Sequence, residues 1–267
     1  MEGNKLGHWK NAPLAYVVAD VAISPYMTIA KRVPEFQDRL RATFPQTVES
    51  VVLRLDAPQA QGAIAPALTP EQNWQFISTP PKMGVSLSSR SISFHATTYT
   101  NYQDFESKLK VVLTAFGDTV PNAFVNRIGL RYIDLIVPSR GKSVRAYLDQ
   151  GLHGFKPPGA ISESQTVVAT SHRFDQGAMN ISLYVKLPSG SNFPSNISVL
   201  PLAPANIVVR SDPKTRIELG CIDLDRYVEP NASFEWNGIL RTFSIMHRDQ
   251  SNAFKAMLSN LATKEWQ

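Results

Sequence analysis

Residues 125–137, Val125-Asn126-Arg127-Ile128-Gly129-Leu130-Arg131-Tyr132-Ile133-Asp134-Leu135-Ile136-Val137, constrain the fold more than any other stretch of this chain. Their alternation of apolar and polar residues has period two, which sends successive side chains to opposite faces of a strand. Ile128, Leu130, Tyr132 and Ile136 fall on one face, and Arg127, Gly129 and Arg131 on the other. Such a strand belongs in an antiparallel sheet with one face covered and the other polar or ligand-lined. The two arginines stand side by side on that second face. Periodicity alone leaves open whether they meet carboxylates of the protein or an anionic partner.

The rest of the chain supplies more strands and two long helices. Residues 14–25 read as a strand bracketed by prolines, and residues 34–44 as a helix with Val33, Phe36, Leu40 and Phe44 on one stripe, halted by Pro45. Residues 51–55 and 74–78 are further strands, joined by an Ala/Pro/Gln-rich surface loop over 56–71. Residues 85–88 and 91–96 form a hairpin candidate about Ser89-Arg90. Asn101 is a fitting N-cap for a helix carrying Tyr102, Phe105, Leu109, Val112 and Phe116, with Gly117 as its expected stop. A short helix is expected around 144–148. Strands follow at 167–174, 179–187, 207–209 and 215–228, with a polar loop over 188–204 and one final helix from 237 to 263.

This pattern predicts an α+β fold, mainly antiparallel sheet, in two related β-rich halves with one long amphipathic helix packed on each. The Gly/Pro-rich stretch 151–165 sets the expected boundary between an N-terminal unit, 1–150, and a C-terminal unit, 151–267, within what can also be one continuous domain. A chain of 267 residues is long enough for either arrangement.

The final helix is the second informative feature. Trp236, Leu240, Phe243, His247, Gln250, Phe254, Met257 and Leu261 recur at steps of four and three, so His247 and Gln250 interrupt an apolar stripe. They form either a satisfied core pair, or a bend into two helices, or a polar site facing the sheet. In the last case the expected partners are Asp223, Asp225, Arg127, Arg131 or Asp134. A histidine beside a carboxylate can do general acid–base work.

Other chemistry is thinly represented. There is no phosphate loop, no dinucleotide fingerprint and no Gly-x-Ser-x-Gly elbow. Asp223 and Asp225 share a strand face and could hold a divalent ion, but no further acid lies near. The five histidines lack metal-ligand spacing, so neither a metal nor a cofactor is expected. Trp74, Phe76, Phe94 and Tyr99 are core candidates, or an aromatic platform for nucleic acid. The net charge of +5 is mildly basic, with its densest group at Lys31, Arg32, Arg39 and Arg41, and leaves nucleic acid as the weaker partner class. A single cysteine, Cys221, excludes an internal disulfide and reads as a small buried side chain. No apolar run is long enough to span a membrane. With no signal-peptide core at the start, a cytoplasmic location is expected.

Three segments carry a resemblance. They are Asn11-Ala12-Pro13-Leu14 before the first strand, Trp74-Gln75-Phe76 ahead of Ser91-Ile92-Ser93-Phe94 with Tyr99, Tyr102 and Phe105, and Arg127-Ile128-Gly129-Leu130-Arg131-Tyr132-Ile133-Asp134. The chain resembles a sporadically distributed family of uncharacterised bacterial proteins of about this length. In that family the mid-chain strand reads Gly-Leu-Arg-Tyr-Ile-Asn, and here Asp134 stands in place of the Asn. The resemblance implies no reaction, cofactor or catalytic residue. The family's patchy distribution implies horizontally moved genes of the defence or toxin–antitoxin kind.

The leading expectation is therefore a non-enzymatic binding or interaction protein with a protein partner or a second copy of itself, as in a defence or toxin-neutralising locus. The alternative is an enzyme on a phosphorylated or nucleic-acid substrate, with Arg127 and Arg131 as anion clamp and His247 as acid or base. Arg127, Arg131, His247 and Gln250 are the candidate anion- or partner-binding residues in either case.

Overall fold

A computed structural model describes residues 11–56, 67–155, 166–185 and 219–266. The fold is α+β, with one ten-stranded antiparallel sheet and four α-helices among the described residues. In chain order the elements are β1 (Leu14–Ile23), α1 (Val33–Leu40), β2 (Gln46–Asp56), β3 (Ala67–Ile77), β4 (Met83–Ser88), β5 (Ser91–Ala96), α2 (Tyr102–Thr119), β6 (Phe124–Ile136), β7 (Val167–Arg173), β8 (Ala178–Tyr184), β9 (Gly220–Val228), β10 (Ala232–Ser233), α3 (Trp236–Ala256) and α4 (Asn260–Trp266). The strands lie in the order β2-β3-β4-β5-β1-β6-β9-β8-β7, and the short β10 adds to β6.

β6 is the arginine strand, and it sits in the middle, paired with β1 on one side and β9 on the other. β9 lies beyond residue 150 and β6 before it, so the sheet runs without interruption across the expected boundary. The helices cover one face. Phe36, Phe105, Phe116 and Phe243 of α1, α2 and α3 pack in one cluster with Val17, Val21, Phe94, Leu130 and Leu224 of the sheet. Each such side chain, fully buried, contributes about 1.5–3 kcal/mol. α2 and α3 lie against each other on this face, with the Tyr102 hydroxyl 3.4 Å from Ser244 Oγ.

Several local expectations are met. Asn101 Oδ1 accepts the Asp104 N–H at 2.8 Å and caps α2. Ser89 and Arg90 do turn β4 into β5. Cys221 is fully buried, and burial pushes its thiol pKa well up.

Others need correction. α2 does not stop at Gly117 but continues to Thr119, just short of Pro121. Gly117 instead admits the Phe234 ring, which would lie 3.2 Å from an added Cβ. The hairpin of β2 and β3 extends into the expected 56–71 loop, with Pro70 paired to Leu53. The final helix is two helices. α3 closes at Met257, and Ser259 then accepts the Ala262 N–H through its hydroxyl, starting α4, while Leu258 bridges to Leu148. Trp74, Phe76 and Phe94 are buried beneath α1 and α2, so they offer no open faces on which bases stack. The expected 207–209 strand, the 188–204 loop, most of the 151–165 boundary and the start of the 215–228 strand lie outside the described residues.

Candidate functional site

The two sheet faces treat their polar residues differently. On the face away from the helices, β6 presents Arg127 and Arg131, β1 presents Asp20, and β9 presents Asp223 and Asp225. Arg131 makes a bidentate pair with Asp223, Nε and Nη2 each donating at 2.7 Å. The Asp223 side chain is only 6% exposed, so it requires that partner. Hydrogen bonding to Asp223 in turn raises the Arg131 pKa. Arg127 reaches both carboxylate oxygens of Asp225 at 3.3 Å and lies 4.0 Å from Asp20. Its guanidinium also covers the Tyr227 ring, 4.7 Å from the centroid. Gly129 makes this geometry possible, because a Cβ there would sit 2.6 Å from Arg127 Nη1. Burial raises the Asp20 pKa, opposed by the 2.7 Å hydrogen bond from Ser93 Oγ and by the charge of Arg127. The arginine pair is thus matched by three carboxylates of the protein itself.

On the helix side, the start of α2, the second half of α3 and strands β1, β6 and β9 enclose a cleft of about 100 Å³. Tyr99, Tyr102, Tyr132, Asp134, His247, Gln250 and Ser251 line it, Phe254 and Leu14 supply apolar wall, and Lys255 stands at its exposed edge. The His247 ring stacks on Tyr102, with centroids 4.2 Å apart and planes 3° apart. Its Nδ1 lies 3.1 Å from the Tyr132 hydroxyl, which is 3.4 Å from that of Tyr99. Burial, with a smaller push from Lys255, lowers the His247 pKa to about 4. Burial raises the Tyr132 pKa well above its ordinary value, and raises those of Tyr99 and Tyr102. Near neutrality the cleft therefore holds a neutral imidazole and neutral phenols.

Two residues of the cleft are not matched. Gln250 is 1% exposed and donates its amide to the carbonyls of Leu130, at 2.8 Å, and Leu224, at 2.9 Å. Two carbonyl partners fix the amide orientation, which leaves Oε1 buried with no donor. Asp134 is 5% exposed, and among the described residues no donor reaches its carboxylate. Burial, reinforced by the negative charge of Asp223, pushes its pKa up to about 8.

The structure thus brings His247 and Gln250 together but sets Arg127 and Arg131 on the opposite face of the sheet. Of the five partners expected for His247, only Asp134 shares its cleft. Tyr102, Tyr132 and Lys255 carried no functional expectation. Tyr102 and Tyr132 lie at apolar positions of a helix stripe and a strand face, where a tyrosine reads as core. Asp134 did leave a signal, since it falls on the apolar parity of β6 between Tyr132 and Ile136. Among the described residues no cluster of His, Cys, Asp or Glu is arranged to hold a metal, and no helix is long and apolar enough to cross a membrane. No family model, curated protein or solved structure matches this chain.

Proposed function

We propose that this chain is a binding protein rather than an enzyme, and that the helix-side cleft of Tyr99, Tyr102, Tyr132, Asp134, His247 and Gln250 is its binding site. One observation carries this reading: the cleft is lined by Gln250, whose Oε1 is buried without a partner, and by Asp134, an acid only 5% exposed that no donor reaches among the described residues. A buried polar group without a partner costs about 1–3 kcal/mol, which a ligand supplying the partner returns as affinity. The enzyme alternative lacks support in the geometry. An arginine clamp on one face of a sheet cannot hold a substrate for His247 on the other. An imidazole with a pKa of about 4 is also a weak base near neutrality.

The test is a ligand-observed NMR screen of small charged and neutral fragments against the wild-type chain and Ser251→Trp, whose indole fills the cleft. Fragments that bind the wild type and not the filled variant support the reading. Fragments that bind both equally, or a screen without binders, contradict it.

A second reading, self-association, has its own observation. Among the described residues β2 forms an edge of the sheet, and Val48, Val51 and Leu53 on it are exposed. An exposed apolar edge strand is a template for pairing with another copy. Sedimentation of the wild type and of Val51→Lys tests it: a dimer lost in the variant supports self-association, and a monomeric wild type contradicts it. The family resemblance adds a place in a defence or toxin-neutralising locus, which flanking toxin or nuclease genes would support.

We propose that the two β-rich halves meet at the β1–β6 pair rather than at the 151–165 stretch. β1 leads to a meander whose last strand, β5, returns beside it before α2. β6 likewise leads to a meander whose last strand, β9, returns beside it before α3. The β1–β6 pair would then join two units related by an approximate two-fold axis.

A further inference from the structure

The cleft's unmatched groups share one chemical character, and that character points to a ligand class. Gln250 Oε1 can only accept. The Asp134 carboxylate, once ionised, is also an acceptor and carries negative charge. Both residues are more than nine-tenths buried, whereas the one cation lining the cleft, Lys255, is exposed. The remaining wall includes Tyr99, Tyr102 and Tyr132, whose ring faces carry the negative end of the aromatic quadrupole and attract cations. An anion beside these two groups would meet a carboxyl and an amide oxygen. A neutral apolar ligand would leave both unmatched.

We propose that the cleft binds a small organic cation bearing N–H donors, a primary ammonium or guanidinium head, with Asp134 as its counter-ion and Gln250 Oε1 as a hydrogen-bond acceptor. The assignment rests on the reading of the cleft as the binding site and adds the chemistry of what enters it. The ammonium donates to Asp134 and to Gln250 Oε1, and the tyrosines line the wall beside its carbon-bound side. Replacing the lost hydration of the cation with a charge-assisted hydrogen bond makes Asp134 the dominant contact.

The affinity depends on pH in a defined direction. A cation favours the ionised form of Asp134, so binding releases a proton wherever the free carboxyl is protonated. The groups around Asp134 are Tyr132 on its own strand, Asp223 on β9 with Arg131 bound to it, the buried Cys221 also on β9, Tyr99 just before α2 and Tyr102 at its start, and His247 and Lys255 on α3. His247 titrates at about 4 and Asp134 at about 8, so in the neutral and mildly basic range Asp134 sets the slope. Cation affinity rises with pH up to about 8 and then levels.

The experiment is a titration of the full chain with n-butylammonium, tetramethylammonium and acetate, read on the Gln250 side-chain amide and His247 ring signals by NMR. It is run near pH 9 and near pH 6, on the wild type and on Asp134→Asn. Butylammonium should shift these signals, bind about 100-fold more weakly near pH 6, about two units below the Asp134 midpoint, and lose at least about ten-fold in affinity in Asp134→Asn. Tetramethylammonium, which has no N–H, should bind more weakly than butylammonium. The thermal melt of Asp134→Asn checks that the variant is folded. Equal binding of butylammonium to wild type and variant overturns the counter-ion assignment. Equal binding of the two cations overturns the donor assignment. Acetate shifting these signals in place of butylammonium overturns the cation class while leaving the cleft as a binding site. No shift with any of the three also overturns it, and the Ser251→Trp screen then decides separately whether the cleft binds anything.

Discussion

The charged face of the sheet and the helix-side cleft contain similar residue types in opposite states. The sequence leaves open whether Arg127 and Arg131 meet an anionic partner, and Asp20, Asp223 and Asp225 meet them on neighbouring strands. Asp134 and Gln250 fall on apolar faces, yet Gln250 Oε1 is buried without a partner and no donor among the described residues reaches the Asp134 carboxyl. Polarity by itself says little about function. The informative quantity is what remains unpaired after folding, because only those groups have interactions left to give.

The comparison has opposite signs for stability, which mutation can expose. Arg131→Met should be the most damaging change, costing about 3–5 kcal/mol in urea unfolding, since it strands the buried Asp223 carboxylate. The double variant Arg131→Met with Asp223→Leu should recover most of that loss, because an apolar pair replaces both charges. A loss below about 1 kcal/mol for the single variant would show that the pair is effectively solvated.

Asp134→Asn should act the other way. Burial pushes the Asp134 carboxyl up to about 8 in the folded chain, from an ordinary value of 3.8. Between those values the folded state holds a proton that the unfolded state has released, so stability falls as pH rises. Removing the carboxyl should therefore stabilise the chain by up to about 5 kcal/mol near pH 8 and by little near pH 4. Melting the two forms across that range isolates the effect, because His247, with its lowered pKa, contributes equally to both. A variant less stable than the wild type near pH 8 would break the contrast between the faces.

Smaller effects should follow the same division. Gln250→Met gives up two hydrogen bonds to strand carbonyls but also removes the unmatched oxygen, for a net loss of about 1 kcal/mol. Arg127→Met, where the partner Asp225 is itself partly exposed and the carboxylate contacts are longer, should cost less than about 1 kcal/mol. An Arg127 loss equal to that of Arg131 would mean that the whole face behaves as one buried network.

How much of this the sequence carried depends on how far apart the interacting residues lie. Alternation along residues 125–137 places Arg127 and Arg131 on one face without any knowledge of the fold. Their partners do not follow from it, because Asp20 and Asp223 join β6 only once strands distant in sequence pair in register. Helical spacing marks His247 and Gln250 as polar residues on an apolar stripe, and the sheet beneath them decides what they touch. The break of the last helix at Met257 to Ser259 was hidden because the apolar spacing of Phe254, Met257 and Leu261 runs straight through it. The tyrosines of the cleft were hidden for a different reason: a core position and a cleft wall demand the same side chain.

The claim that the cleft holds an unpaired acid can be measured without any ligand. A ¹³C-detected titration of the Asp134 side-chain carboxyl in the free wild-type chain reads its midpoint directly. The account predicts a midpoint near 8, raised by burial without a donor or a cation to hold the charge. A midpoint near 4, in the ordinary carboxylate range, would show that the acid is already paired or solvated, and would contradict the account.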